Sequence, residues 1–408
     1  MIKLRHERKA RYSFSGVIDF MVEPAPEPFD WLAAEILQRE QAGLMRRLVS
    51  KQIGACRDFA SNDYLGLRRN EIVVQAGIMA AVKEGSGSGS SPAVGGWKPV
   101  HVDLAKQIAE WKGAESGLLF TSGYLANQAT TAALVGAADA IYLDRLAHAC
   151  LVDGARLSGA KLRVFSNNNA ARLEELLRRD LGRFRCRLII TESLFSMDGD
   201  TAPLTELSEI AANYHCMMLV DEAHATGFFG PEGQGLVESL GLAAHPNIVR
   251  TGTLSKAIGS QGGFVVGSKT LVDWLVQSAR GWIYATAIAP FLVASASAAI
   301  DIIRKQPEIR AKLHRNSEFL RQILVQQGWA VPTGQGPIVP LVVGEAELAV
   351  AIGSGLWELG FAVGAIRPPT VPRGTARLRI SVSAAHSEAD IEALVEALGT
   401  VANQHRLL

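Results

Sequence analysis

From Phe59 to Gly267 the chain alternates short apolar runs, most of them apolar throughout, with longer stretches whose apolar residues recur at helical spacing. The runs are Gly117–Phe120, Ala140–Leu143, Leu162–Phe165, Leu188–Thr191, Met217–Val220 and Ile248–Arg250. A strand with one face in water alternates apolar and polar residues. Most of these runs do not, so both faces of the sheet they form must be covered. A sheet covered on both faces is mainly parallel, its strands joined by helices. This makes the chain an α/β protein and says where its chemistry sits, because such sheets bind ligands beyond the carboxyl ends of their strands. The residues that directly follow each apolar run are therefore the ones to read.

At 408 residues the chain exceeds one ordinary core and divides by pattern. Residues 1–55 read as a charged, then proline-rich arm (Pro24, Pro26, Pro28) and a helix over Trp31–Leu44. Residues 56–290 read as a large domain. Residues 291–408 read as a smaller α/β domain, with helices at Phe291–Lys305, Ile309–Gln327 and Ser387–Leu398 and strands at Ile338–Val343 and Ala376–Val382.

The 41 basic and 40 acidic residues nearly cancel, so no overall field favours nucleic acid or an anionic membrane. Any anion has to be bound by a local site. No apolar run is long enough to span a bilayer. Cys56, Cys150, Cys186 and Cys216 form no C-x-x-C pair and no metal-ligand spacing, which points to reduced thiols in a cytoplasmic protein without a metal centre. The basic N-terminus lacks the apolar segment of a signal peptide, and a transit segment is the other reading of its charge.

Four strand ends carry chemistry. Met217–Val220 runs directly into Asp221-Glu222-Ala223-His224. A carboxylate there can pair with a protonated pyridine nitrogen, and an imidazole three residues on can reach a phenolic oxygen of the same ring. The run alone also fits a helicase-type motif or a plain strand-to-loop transition. Ile248–Arg250 is followed by Thr251-Gly252-Thr253-Leu254-Ser255-Lys256. A lysine among small residues behind a buried strand is desolvated, which lowers its pKa toward that of an imine-forming amine. A lone lysine is ordinarily a solvated loop residue. An acid and a lysine on successive strand ends say more than either alone.

Gly117–Phe120 leads into Thr121-Ser122-Gly123-Tyr124, the opening of a helix. Helix-terminal N–H groups there suit a phosphate, although a serine N-cap beside a permissive glycine explains the same residues. Ala140–Leu143 leads to Asp144-Arg145-Leu146-Ala147-His148, whose ring could stack on a flat cofactor or serve structure. Three further stretches complete the set: Ser61-Asn62-Asp63-Tyr64-Leu65-Gly66-Leu67, Thr191–Asp200 with Glu192 and Ser196, and Ile366-Arg367-Pro368-Pro369-Thr370-Val371-Pro372. The last precedes a strand carrying Arg377 and Arg379. Arginine is the usual partner of an α-carboxylate. One of this pair is expected to point inward and the other outward.

Taken in order, these motifs resemble those of the α-oxoamine synthases, fold-type I enzymes that use pyridoxal 5'-phosphate (PLP). S-N-D-Y-L-G-L, S-M-D-G-D, D-E-A-H and T-x-S-K mark that family. The resemblance implies a large, mainly parallel seven-stranded sheet domain, a smaller C-terminal α/β domain, and a homodimer with shared active sites. It implies a catalytic set of Lys256, which carries the cofactor as a Schiff base, Asp221 on the pyridine nitrogen, His224 on the phenolic oxygen and His148 stacked on the ring. Ser122, Gly123, Tyr124, Glu192, Ser196 and Thr253 join the cofactor-binding set, with Thr286 reaching the phosphate across the dimer. Asn62 and Arg379 resemble the groups that hold an amino-acid carboxylate. Arg367 and Arg46 (or Arg47) complete the substrate side. The implied reaction is a decarboxylative condensation of an amino acid, alanine by resemblance, with an acyl thioester of coenzyme A or acyl carrier protein. The run Ile366–Ser381 narrows the acyl group to pimeloyl by the same resemblance, with a sister synthase of different substrates as the alternative. An aminotransferase or PLP lyase is a reading of another class.

Overall fold

The computed structural model describes residues 27–45 and 56–405. They belong to two compact units, residues 1–49 and 50–408. In the first, a helix spans Asp30–Gln41 and buries none of its side chains. It stops short of the predicted Leu44 because Gly43 turns into the left-handed region, at φ +66°.

The second unit is built on a seven-stranded sheet. Its strands are β1 Ser116–Phe120, β2 Ala140–Asp144, β3 Lys161–Phe165, β4 Arg187–Glu192, β5 Met217–Asp221, β6 Ile248–Thr253 and β7 Gly263–Gly267. Their order across the sheet is β1-β7-β6-β5-β4-β2-β3. Only β7 runs against its neighbours, pairing antiparallel with both β1 and β6. The other strands share one direction, so their carboxyl ends line a single edge.

Both faces are covered, as the unbroken apolar runs require. On β4, Leu188 and Ile190 join one core cluster with Leu143, Leu219 and Val249, while Ile189 joins another with Tyr142, Met218 and Val220. Helices Gly123–Leu134 and Ala149–Ser158 cover the first face, and Ala170–Arg179 and Leu204–Asn213 the second. Each fully buried Leu or Ile contributes about 1.5–3 kcal/mol.

Toward the C-terminus a three-stranded antiparallel sheet forms from β8 Ile338–Gly344, β9 Gly364–Ile366 and β10 Ala376–Ser381, with β10 in the middle. This sheet is tied to the Asn62 segment. Ser381 N donates to Phe59 O at 2.8 Å, Ala384 N to Tyr64 O at 2.7 Å, and the rings of Phe59 and His386 stack at 3.8 Å. Arg57 and Asp58 pair in parallel with Phe361 and Ala362. The S-N-D-Y run is thereby laid beside Arg379. Among the described residues no helix is long and apolar enough to cross a membrane.

Candidate active site

Cross-strand register sets the acids side by side. Glu192 on β4 is level with Asp221 on β5, and Asp221 with Thr251 on β6. Asp221 is buried, and its carboxylate is gripped twice: Oδ1 accepts from Ala223 N at 2.8 Å and Oδ2 from Asn127 Nδ2 at 2.7 Å. Glu192 is buried too, and its Oε1 accepts from His148 N at 2.7 Å. Burial, then the neighbouring Asp221 charge, raises the Glu192 carboxyl well above its usual range.

Lys256 follows β6 and is half-buried. Its Nζ lies 2.7 Å from Nε2 of His224. Burial lowers the ammonium pKa to about 8, against the opposing pull of Asp221 and Glu192. His224 is held well below its usual value by burial, and next by the positive charge of Lys256.

A cavity of about 230 Å³ opens at this edge, lined by Ser122, Gly123, Tyr124, His148, Glu192, Asp221, His224, Thr253 and Lys256. Ser122 caps the helix Gly123–Leu134, its Oγ accepting from Leu125 N at 3.1 Å. The N–H groups of Gly123 and Tyr124 start that helix, beyond reach of any helical carbonyl. Gly123 has to be glycine, since a Cβ there would stand 2.9 Å from Cβ of Thr253. Thr253 and Ser255 share a hydroxyl contact of 2.7 Å nearby. His148 caps the next helix, with its ring exposed to the cavity and Nδ1 2.9 Å from Sγ of Cys150. The cavity thus offers an acid on its floor, an amine of lowered pKa and a helix start with hydroxyls. That donor set fits a phosphorylated pyridine aldehyde: the acid for the ring nitrogen, the amine for the aldehyde, the helix start for the phosphate.

The remaining predicted residues fall in three places. Asn62 and Arg379 meet, with Nη1 of Arg379 donating to Oδ1 of Asn62 at 3.0 Å. Ser196 takes part through its backbone, its carbonyl accepting from Nε of Arg379 at 2.6 Å. Thr286 is exposed and lines a different small cavity with Trp97, His101 and Trp282, not the one that Lys256 lines. Arg367 follows β9 and does not line the Lys256 cavity. Arg46 and Arg47 lie outside the described residues.

One expectation is corrected. Arg377 and Arg379 do not split inward and outward. Residues two apart on a strand share a face, and both arginines are buried, as is every residue of β10. Arg377 pairs with Asp198 and Arg379 reaches Ser196, so both brace the loop after β4. Sequence reasoning also gave no role to Asn127 or Tyr64, although both stand in motifs it singled out. Asn127 comes one helical turn after Gly123, and that spacing is the signal that could have placed it over Asp221.

Fold and cavity together define a fold-type I PLP enzyme. Residues 56–398 match the family model for aminotransferase class I and II. The chain is similar to the 8-amino-7-oxononanoate synthase of Alkalilimnicola ehrlichii, at 42% identity over 384 residues, 91% of this chain and 98% of the relative. It superposes on a Sphingomonas wittichii serine palmitoyltransferase with a TM-score of 0.87 at 30% identity, covering 95% of this chain and 100% of that one. A serine palmitoyltransferase from S. paucimobilis solved with PLP–myriocin bound also gives 0.87, at 29% identity, with 93% and 98% covered. The chain belongs to the class I and II aminotransferase family and, within it, to the α-oxoamine synthases.

Proposed function

We propose that this site condenses L-alanine with a pimeloyl thioester, giving 8-amino-7-oxononanoate, CO₂ and the free thiol of coenzyme A or acyl carrier protein, a step of biotin synthesis. A bond forms between the alanine Cα and the thioester carbonyl carbon as the thiolate leaves. The bond from Cα to the carboxylate then breaks, and a proton takes its place. The observation that carries this reading is the convergence of Lys256 and Asp221 on one cavity, in a chain 42% identical to an 8-amino-7-oxononanoate synthase.

Bound PLP supplies an electron sink for a carbanion at Cα. Asp221, fixed by Asn127 and Ala223 N, holds a positive charge on the pyridine nitrogen. Lys256 would anchor the cofactor and move the Cα proton. His148 would stack on it and His224 would hydrogen-bond it, with Glu192 and Ser196 as further cofactor-binding residues. Ser122, Gly123, Tyr124 and Thr253 hold the phosphate, and Thr286 reaches it from the second copy in a homodimer. Arg379 and Asn62 would grip the substrate carboxylate and so orient the bonds at Cα. Arg367 and Arg46 (or Arg47) are the remaining substrate-binding candidates. In this reading residues 1–55 are an N-terminal arm and helix, residues 56–290 the large domain and residues 291–408 the small one. A cytoplasmic setting keeps the four unpaired thiols reduced.

The serine palmitoyltransferase likeness favours a second reading, a sister synthase with a longer acyl chain or another amino acid. A matrix of alanine, glycine and serine against acyl thioesters of graded length, with product mass as the readout, separates the two. Product from alanine and the pimeloyl thioester alone supports the first. Turnover confined to serine or long chains replaces it with the second.

A further inference from the structure

A buried file of polar groups runs away from the amine. Nε2 of His224 lies 2.7 Å from Nζ of Lys256, and Nδ1 of the same ring lies 2.6 Å from Oη of Tyr64. That phenol oxygen is 3.1 Å from Oδ1 of Asn62 and 3.4 Å from Nη2 of Arg379, and Tyr64 is 0% exposed. Its hydroxyl has one proton and two acceptors in reach. When the proton goes to Nδ1 of His224, the ring's own proton sits on Nε2 and faces Lys256. When it goes to Asn62, Nδ1 carries the ring proton, and Nε2 is left as an acceptor for Lys256. Two observations favour the first arrangement. The contact to Nδ1 is the shorter, 2.6 against 3.1 Å, and Oδ1 of Asn62 already accepts from Nη1 of Arg379.

We propose that Tyr64 is a positioning residue that locks His224 in the Nε2–H tautomer, so that Lys256 meets a hydrogen-bond donor and is held as the free amine. A donor aimed at the nitrogen lone pair stabilises the neutral amine and opposes the ammonium. The same phenol touches Arg379, so the arginine proposed to hold the substrate carboxylate and the lysine proposed to move the proton are joined through one hydroxyl. Other groups also face this pair. Asp221, Glu192, Cys150, His148 and Arg379 act on Lys256, and Arg379 and His148 on His224. All but Tyr64 remain in the variant that follows.

The inference rests on Lys256 as the imine-forming amine, and the test separates the two. Full-length apoenzyme is mixed with PLP at a series of pH values, and the rate of appearance of visible imine absorbance is followed. In the wild type that rate is expected to climb with pH around a midpoint near 8. Tyr64→Phe keeps the ring and loses the proton. Its midpoint is expected to rise by about one unit, a roughly tenfold slower uptake below the midpoint. An unchanged midpoint overturns the role of Tyr64, whatever the variant does to the melting temperature. Should the phenylalanine variant fail to fold, the ring ¹⁵N chemical shifts of His224 in the wild-type apoenzyme decide the matter. A protonated Nε2 beside a bare Nδ1 is expected, and a protonated Nδ1 overturns the proposal. Absence of any Lys256 imine in the wild type overturns both the amine's assignment and this role.

Discussion

Asn127 stands between Asp221 and Thr251 with both ends of its amide engaged, Nδ2 donating to Asp221 Oδ2 at 2.7 Å and Oδ1 accepting from Thr251 Oγ1 at 2.6 Å. The carboxylate can only accept, which leaves the amide one useful orientation, with its NH₂ toward the acid and its oxygen toward the threonine hydroxyl. The sheet, the helix Gly123–Leu134 and the proposed ring partner are thereby locked together. A hydrogen bond to a charged group contributes about 1.5–3 kcal/mol. Asn127→Ala should therefore weaken PLP binding by roughly 10- to 100-fold, read by spectral titration of the apoenzyme. Asp221→Asn should retain PLP poorly and lose nearly all turnover. Normal turnover in that variant would remove Asp221 from the pyridine nitrogen.

Lys256→Ala should take up PLP without a visible imine band and give no adduct after borohydride. In the wild type, covalent uptake should rise as the pH passes upward through about 8, because below that value the amine carries the proton that blocks its attack. Mass spectrometry of the reduced peptide locates the modified residue, and an adduct on another lysine would refute the assignment.

The strand ends were legible because a doubly covered parallel sheet leaves a mark that turn chemistry cannot hide: Ile141, Ile189 and Val220 are all 0% exposed. β7 was harder. Its Gly263 and Gly267 read as punctuation, yet Gly263 is glycine because a Cβ would stand 2.4 Å from Ser122 O. The helix Ala346–Glu358 escaped for a like reason. Gly353 and Gly355 look like breakers, whereas a Cβ on Gly355 would already press on Val401 at 3.1 Å. Lys256, Asp221 and His224 could be placed near one another from strand order alone. The file from Tyr64 to Arg379 could not, because it depends on β10 hydrogen-bonding to the segment from Phe59 to Tyr64, which lies more than three hundred residues earlier in the chain.

Arg379 and Arg377 share a face but not a set of partners, and their variants should differ. Arg379 faces Asn62 and Tyr64, so Arg379→Ala should raise the KM for the amino acid by about tenfold or more, the cost of one lost charged contact. Arg377 is spent on Asp198 and the Met197 carbonyl. Arg377→Ala should loosen the loop after β4 and lower thermal stability while moving that KM less. An unchanged KM in Arg379→Ala would shift the carboxylate to Arg377 or Arg367.

Behind the site, Lys112 and Glu222 form a pair with no exposure on either side chain, Nζ to Oε2 at 3.0 Å. Nζ also donates to Thr226 Oγ1 at 2.9 Å and to the Gln234 carbonyl, while Oε1 of Glu222 accepts from Val237 N at 2.9 Å. Glu222 is the residue after Asp221, so this brace sets where the proposed ring partner stands. Two desolvated ions are weak evidence of net stabilisation, yet removing one partner leaves the other charged in a dry interior. That costs about 3–5 kcal/mol. Lys112→Met should lower unfolding stability by that amount in urea, and Glu222→Gln by a comparable one. The double variant should recover much of the loss, because neither charge is then stranded, and the two effects should be far from additive. Losses that simply sum in the double variant would mean that the pair acts through packing rather than charge.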